Sequence, residues 1–271
     1  MRSGLAGLFF FLAAIALALA AGGWWMQRIA FQSATSAAVA ATVLHDEPAL
    51  RDQIVGVVTT ATAAKLGVPP AQLGPQIDQT LQIPAGAALA RGILGDVHAR
   101  LVGARSAPVV ISPTDMVQLV RNQVVATVPA APLPVETISW LDTVRRALTF
   151  FVPIAALAGI VALVFGFIAH PRRADAVFGV GMFCVFAAVL GALLGYVVPA
   201  FLLPVLDDDP WMAIVPAVAN DQLPLIAGVS VGLAVLGGAL ILASTGFRKR
   251  KTRSWSSPVG MTRYSDQRHW S

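Results

Sequence analysis

The sequence predicts an all-α integral membrane protein, with four transmembrane helices and a mainly helical extracytoplasmic domain between the first and the second. Three observations carry that reading. Of the 271 residues, 56% are hydrophobic and only 12% are charged, about half the charged share of an ordinary soluble domain. Uncharged stretches run over Leu5 to Met26, Leu148 to Ala169, Ala176 to Leu206 and Gln222 to Phe247, each at or beyond the roughly 20 apolar residues that cross a bilayer as a helix. Between the first two lies a long segment of mixed polarity with helix start and stop signals. The units expected are 1–26 as the first span, 27–147 as the outer domain, 148–247 as a three-helix membrane region and 248–271 as a basic cytoplasmic tail.

The first span has two readings. Ala18-Leu19-Ala20 before Ala21 matches a signal-peptidase site, whereas a lone Arg2 ahead of it and an apolar run that continues to Trp24-Trp25 favour an uncleaved anchor. Paired tryptophans are the residues of a membrane interface. Within the outer segment, Asp46 is placed to cap a helix that begins near Pro48, buries Leu50, Ile54, Val57, Val58 and Ala61, and ends at Gly67. A second helix runs from about Pro84 through Leu89, Ile93, Val97 and Leu101 to Gly103. After a short extended piece at Val109-Val110-Ile111, Ser112 and Asp115 form a capping box that opens a helix through Val117, Val120, Val124 and Val128. Pro129, Pro132 and Pro134 mark a hinge, and Glu136 to Ala147, with Trp140 on its apolar side, suits an amphipathic helix near the bilayer surface that leads into span two. The third stretch is too long for one straight span, so its helix is expected to stop near Val198, ahead of Pro199 and Pro204.

Charge sets the orientation. Arg172-Arg173 separate spans two and three, and Arg248, Lys249, Arg250 and Lys251 follow span four, while Asp207, Asp208, Asp209 and Asp221 occupy the remaining link. Lys and Arg stay cytoplasmic, so both termini are expected inside a plasma membrane, with the basic tail against anionic headgroups. The net charge of +5 is not a nucleic-acid signature, because the segment 28–146 is nearly neutral, with nine basic and eight acidic residues.

Candidate chemistry is sparse. The single Cys184 excludes an intrachain disulfide and a Cys-based metal site. Gly228-Val229-Ser230-Val231-Gly232 matches a nucleophile elbow, but it lies within an apolar helix and lacks a nearby base. Small residues at that spacing, like Gly191 and Gly195 in span three, serve close helix packing, so Gly191, Gly195, Gly228 and Gly232 are the expected interaction residues. The acidic triplet suits a solvated loop, and His45 and His98, isolated in sequence, are expected at the surface or at caps. No ionisable residue falls inside a span, which argues against an ion-coupled pump, and no phosphate-binding loop is present. No enzyme activity, metal or cofactor is indicated.

Sixteen Arg against three Lys, with Ala and Val dominating the apolar residues, are the habit of a high-GC genome. The Ser112 to Asp115 helix start, the Arg145-Arg146 entry into span two and the run His170-Pro171-Arg172-Arg173-Ala174-Asp175 together resemble a family of actinobacterial four-span envelope proteins. The layout is similar in particular to accessory subunits of the Mce lipid importers of mycobacteria. The resemblance implies a non-enzymatic accessory or scaffolding subunit whose partners, other membrane chains, hold the ATPase and the lipid tunnel. A stand-alone envelope receptor or channel and, behind it, an intramembrane serine hydrolase built on Ser230 are the alternatives.

Overall fold

The computed structural model describes residues 2–169 and 173–253, with side chains placed over 7–168 and 176–245. It is an all-α membrane protein with four helices long and apolar enough to span a bilayer. The first, α1 (Arg2–Ala30), leads into a domain built from short helices. These are α2 (Ser33–Ala38), α3 (Ala40–Asp46), α4 (Pro48–Leu66), α5 (Pro70–Gln82) and α6 (Pro84–Leu101). A two-residue strand β1 (Val110–Ile111) precedes α7 (Pro113–Val120), and a second, β2 (Ala131–Pro132), pairs with it antiparallel, Val110 opposite Pro132 and Ile111 opposite Ala131.

Proline opens α4, α5, α6 and α7, where its missing N–H costs nothing and its fixed φ already suits the helix. Gly67 ends α4 in the left-handed conformation, φ +63°, as expected of a C-terminal glycine. The capping box is present: Ser112 Oγ accepts from the Asp115 N–H at 3.1 Å while Asp115 Oδ2 accepts from the Ser112 N–H at 3.2 Å. Behind these signals the core forms from Leu50 and Ile54, Ile77 and Leu81, Leu94 and Leu101, and Met116 and Leu119, all fully buried. Arg51 binds three helices together, donating to Asp78 of α5 at 3.0 Å and to the Leu44 and His45 carbonyls that end α3.

Several expectations are corrected. Asp46 closes α3 and caps nothing; Glu47 holds the N-cap position of α4 without a side-chain bond. α7 stops after two turns because Arg121 turns left-handed, φ 56°, and a short 3₁₀ turn at Gln123–Thr127 follows, leaving Val124 exposed. The proline segment is no free hinge, since Leu133, Val135 and Ile138 are buried in the domain. The helix expected from Glu136 does lead into the second span but starts later: Glu136 to Ile138 are outside it, and α8 (Ser139–Ala169) runs unbroken from Ser139.

The beginning of α8 is locked to the end of α6. Arg145 donates to the Val102 and Gly103 carbonyls, both at 3.0 Å, and to Asp142 at 2.7 Å, and Arg146 pairs with the same carboxylate at 2.6 Å. Gly103, φ +70°, lies so near that a Cβ there would fall 2.6 Å from Asp142. The Ile138 N–H donates to the Leu101 carbonyl. A helix end leaves several carbonyls unsatisfied; here the backbone that follows serves His98, Ala99 and Arg100, and the entry to α8 serves Leu101, Val102 and Gly103.

The remaining spans are α9 (Arg173–Ala192), which continues as a wider π-helical stretch Leu193–Leu202 and a 3₁₀ turn Leu203–Leu206, and α10 (Ile214–Arg253). The third span therefore does not stop at Val198. Pro199 cannot donate and its ring crowds the carbonyl four residues back, and the wider winding accommodates it. α1 is central, packed between α8 and α9; α10 leans on α9, touches α1 briefly, and shares no seam with α8. Accordingly, of the most apolar 18-residue window in each, 39% is buried inside the protein in α1 but only 17% in α8 and 11% in α10. Phe9 stacks on Phe165 and Phe10 meets Phe167 edge-on across α1 and α8. The tightest crossing joins α9 and α10, where a Cβ on Gly237 would lie 2.7 Å from the Gly181 carbonyl and one on Gly181 would lie 2.9 Å from the Gly237 carbonyl.

A matched pair of alanine substitutions tests that crossing. Gly237→Ala and Gly228→Ala gain the same helix propensity, about 1 kcal/mol, but only the first meets backbone. Gly237→Ala is expected to lower unfolding free energy in mild detergent by about 2 kcal/mol relative to Gly228→Ala, measured by denaturant titration of the full chain. Equal stabilities would show that the helices do not cross at glycine.

Candidate functional site

The expected packing glycines separate into two kinds. Gly195 is buried against the Trp25 indole, with 2.7 Å between a built Cβ and the ring, and Gly191 faces Ser230, its nearest atom Oγ at 3.9 Å. Gly228 and Gly232 face open space, with nothing within 4 Å. The pair that makes true backbone contact, Gly181 and Gly237, was not singled out from the sequence. Its signals were present as Gly179-Val180-Gly181 and Gly237-Gly238, but small residues are too frequent in these spans for spacing alone to choose among them.

Gly191 and Ser230 belong to an apolar crevice of about 180 Å³ between α1, α9 and α10. Trp24 and Trp25 form its wall on α1, Ala187 and Gly191 that on α9, and Ile226, Val229, Ser230 and Leu233 that on α10. Trp24 and Trp25 meet edge-on at 6.0 Å, and the Arg28 guanidinium lies 5.8 Å from the Trp24 ring centre, a cation–π distance. No titratable side chain lines the crevice. Ser230 lies in the middle of α10, without the strand and turn that a nucleophile elbow requires.

Trp140 sits in the first turn of α8, half-buried against the domain core. Arg248, Lys249, Arg250 and Lys251 fall on helical backbone whose side chains lie outside the described residues, as do His170 to Arg172 and the tail from Ser254. The acidic link has a local use for two of its carboxylates: Asp207 accepts from the Asp209 N–H at 3.1 Å, and Asp209 accepts from the Trp211 N–H at 2.9 Å to cap the turn Pro210–Ala213. That turn docks on the domain, with Trp211 fully buried, and an open polar cleft of about 540 Å³ lies between Gln53, Glu136 and Asp209. Among the described residues no group of three His, Cys, Asp or Glu side chains converges as a metal site.

The two histidines differ. His45 is exposed, whereas His98, expected at the surface or a cap, is fully buried on α6, because it falls on the same face as Leu94 and Leu101. Neither ring nitrogen completes a hydrogen bond among the described residues. Burial pushes its pKa down from 6.5 to about 4, with the Ala30 carbonyl at the end of α1 opposing the shift weakly. The folded chain thus refuses a proton that the unfolded chain accepts. The stability from neutral His98 is fully present above about pH 6.5 and is lost as pH falls toward about 4. The loss is on the order of 3 kcal/mol. Stability of His98→Leu, measured between pH 7 and 4, is expected to fall less steeply than that of the native chain by about that amount; parallel curves would place the histidine in contact with solvent.

No protein-family model matches the chain, and no curated protein and no solved structure matches it either.

Proposed function

We propose that the chain is a non-enzymatic accessory or scaffolding subunit of a cell-envelope lipid-transport complex of the Mce import type. In this reading it sits in the plasma membrane with both termini cytoplasmic and the helical domain outside. The observation that carries the partner reading is the uncovered face of α10. Only 11% of its most apolar 18-residue window is buried by its own chain, and Gly228 and Gly232 lie exposed with open space beside them among the described residues. Glycines one turn apart let a second helix approach to backbone distance, which is how transmembrane helices associate when lipid and side chain are equally apolar. The fixed joint between domain and spans supports a scaffold, since it would hold an outer partner and a membrane partner at a set spacing. The Mce assignment rests on the resemblance in layout, and a role without turnover is supported by the apolar lining around Ser230, which holds no base among the described residues. The lipid-accessible crevice favours a second reading, a stand-alone envelope receptor.

Two measurements test the proposal. With Cys184 replaced, cysteines at Ala71 and Ser256 are expected to react differently with an impermeant thiol reagent, the first in intact cells and the second only after lysis; equal reaction would reject the orientation. Gly232→Leu is expected to leave the unfolding midpoint of the purified chain unchanged while lowering both recovery of importer subunits in mild detergent and cellular uptake of a fatty acid or sterol. Unaltered uptake in a deletion strain, with no importer chain recovered, would favour the receptor.

A further inference from the structure

The crevice between α1, α9 and α10 lies where the surrounding solvent is hydrocarbon. α9 backs it and α1 and α10 flank it, and because those two touch only briefly, its free side faces the bilayer between them. Ser230 and the two indole N–H groups are the only side-chain polar atoms in its lining. A water there would lack the two to four polar partners it needs, whereas a hydrocarbon chain needs none. The volume of about 180 Å³ is near that of apolar cavities known to hold a benzene ring, about 150 Å³, so it suits a segment of one chain.

The domain-side end of the crevice adds a charge. Arg28 stands one helical turn beyond Trp24, exposed, with its guanidinium over the indole. Among the described residues it makes no ion pair and no side-chain hydrogen bond. Asp221, in the first turns of α10, accepts from Gln222 and forms no ion pair with Arg28. Tryptophan and arginine one turn apart define the headgroup layer, and an unpaired guanidinium there is a bidentate donor suited to phosphate.

We propose that the crevice seats an acyl chain of an anionic phospholipid whose phosphate is held by Arg28. The chain leaves one apolar medium for another and gains little by the transfer, so discrimination comes from the headgroup. Zwitterionic and anionic phospholipids both carry the phosphate, but in the first a choline cation already offsets it, so Arg28 prefers the lipid with net negative charge; about 1 kcal/mol per arginine at an anionic surface converts to about a five-fold preference. This inference stands apart from the partner reading above, because it requires no other protein.

The test uses the full chain in nanodiscs of phosphatidylcholine carrying a small fraction of a probe with a diazirine on its acyl chain, either phosphatidylglycerol or phosphatidylcholine. After illumination, the labelled peptides are mapped. The phosphatidylglycerol probe is expected to label the peptides of Trp24, Trp25 and Leu233 about five-fold more than the phosphatidylcholine probe, while the exposed α8 face around Phe150 and Ile154 labels equally with both. Arg28→Gln should abolish the preference, and Gly191→Leu, which projects into the crevice, should abolish the crevice labels. Equal labelling of the crevice by both probes, or crevice labels no stronger than those on α8, would leave only ordinary boundary lipid and overturn the proposal. If Gly191→Leu does not fold, the two probes on the native chain decide the matter.

Discussion

The Val102 and Gly103 carbonyls, just past the end of α6, have no backbone partner among the described residues, and the structure is organised around the side chain that reaches them. Arg145 satisfies both carbonyls while holding Asp142, and a glycine at 103 is what lets the two helices come that close. Removing the arginine would strand two carbonyls and leave Asp142 to Arg146 alone, a cost larger than the loss of one surface ion pair. The joint also fixes the angle at which α8 leaves the domain, and α8 in turn sets the position of α1 through the phenylalanine pairs.

The domain and the membrane region consequently share one core. Ile29 and Ala30 at the end of α1, Leu141 at the start of α8, and Ile214, Val215 and Val218 at the start of α10 are buried among the same side chains as Leu50 and Leu94. His98 lies at this border beside Ala30, its ring without a full hydrogen bond. Below the border the logic changes. Apolar burial no longer drives association, so the spans meet where glycine allows, and α8 and α10 leave most of their surface to lipid.

Much of this was legible in the sequence because the signals were local. The four uncharged stretches, the Ser112 to Asp115 box and Gly67 each depend on a few neighbouring residues, and each is found where local chemistry puts it. α5 was missed: Leu73, Ile77 and Leu81 do recur every four residues, but Gly74 and Pro75 interrupt them and read as a loop. α7 was overextended because valine spacing continued past Arg121, where the backbone turns left-handed. The Gly181 and Gly237 crossing depends on residues brought together by the fold, which spacing along one chain does not encode, whereas Arg28 over Trp24 and the burial of His98 beside Leu94 and Leu101 follow helical spacing and were legible in principle.

α10 carries a mechanical consequence. It is a single helix of 40 residues, about 60 Å long at 1.5 Å per residue, and its first turns are embedded in the domain while the rest crosses the bilayer. Beyond Pro216 in its first turn, Pro224 lies in its interior, near the point where it leaves the domain, and there the Tyr196 hydroxyl donates to Asn220 to brace the neighbouring span. The crossing at Gly237 holds α10 to α9 beyond that proline, so a tilt of the domain bends α10 at Pro224 before it can move the far end.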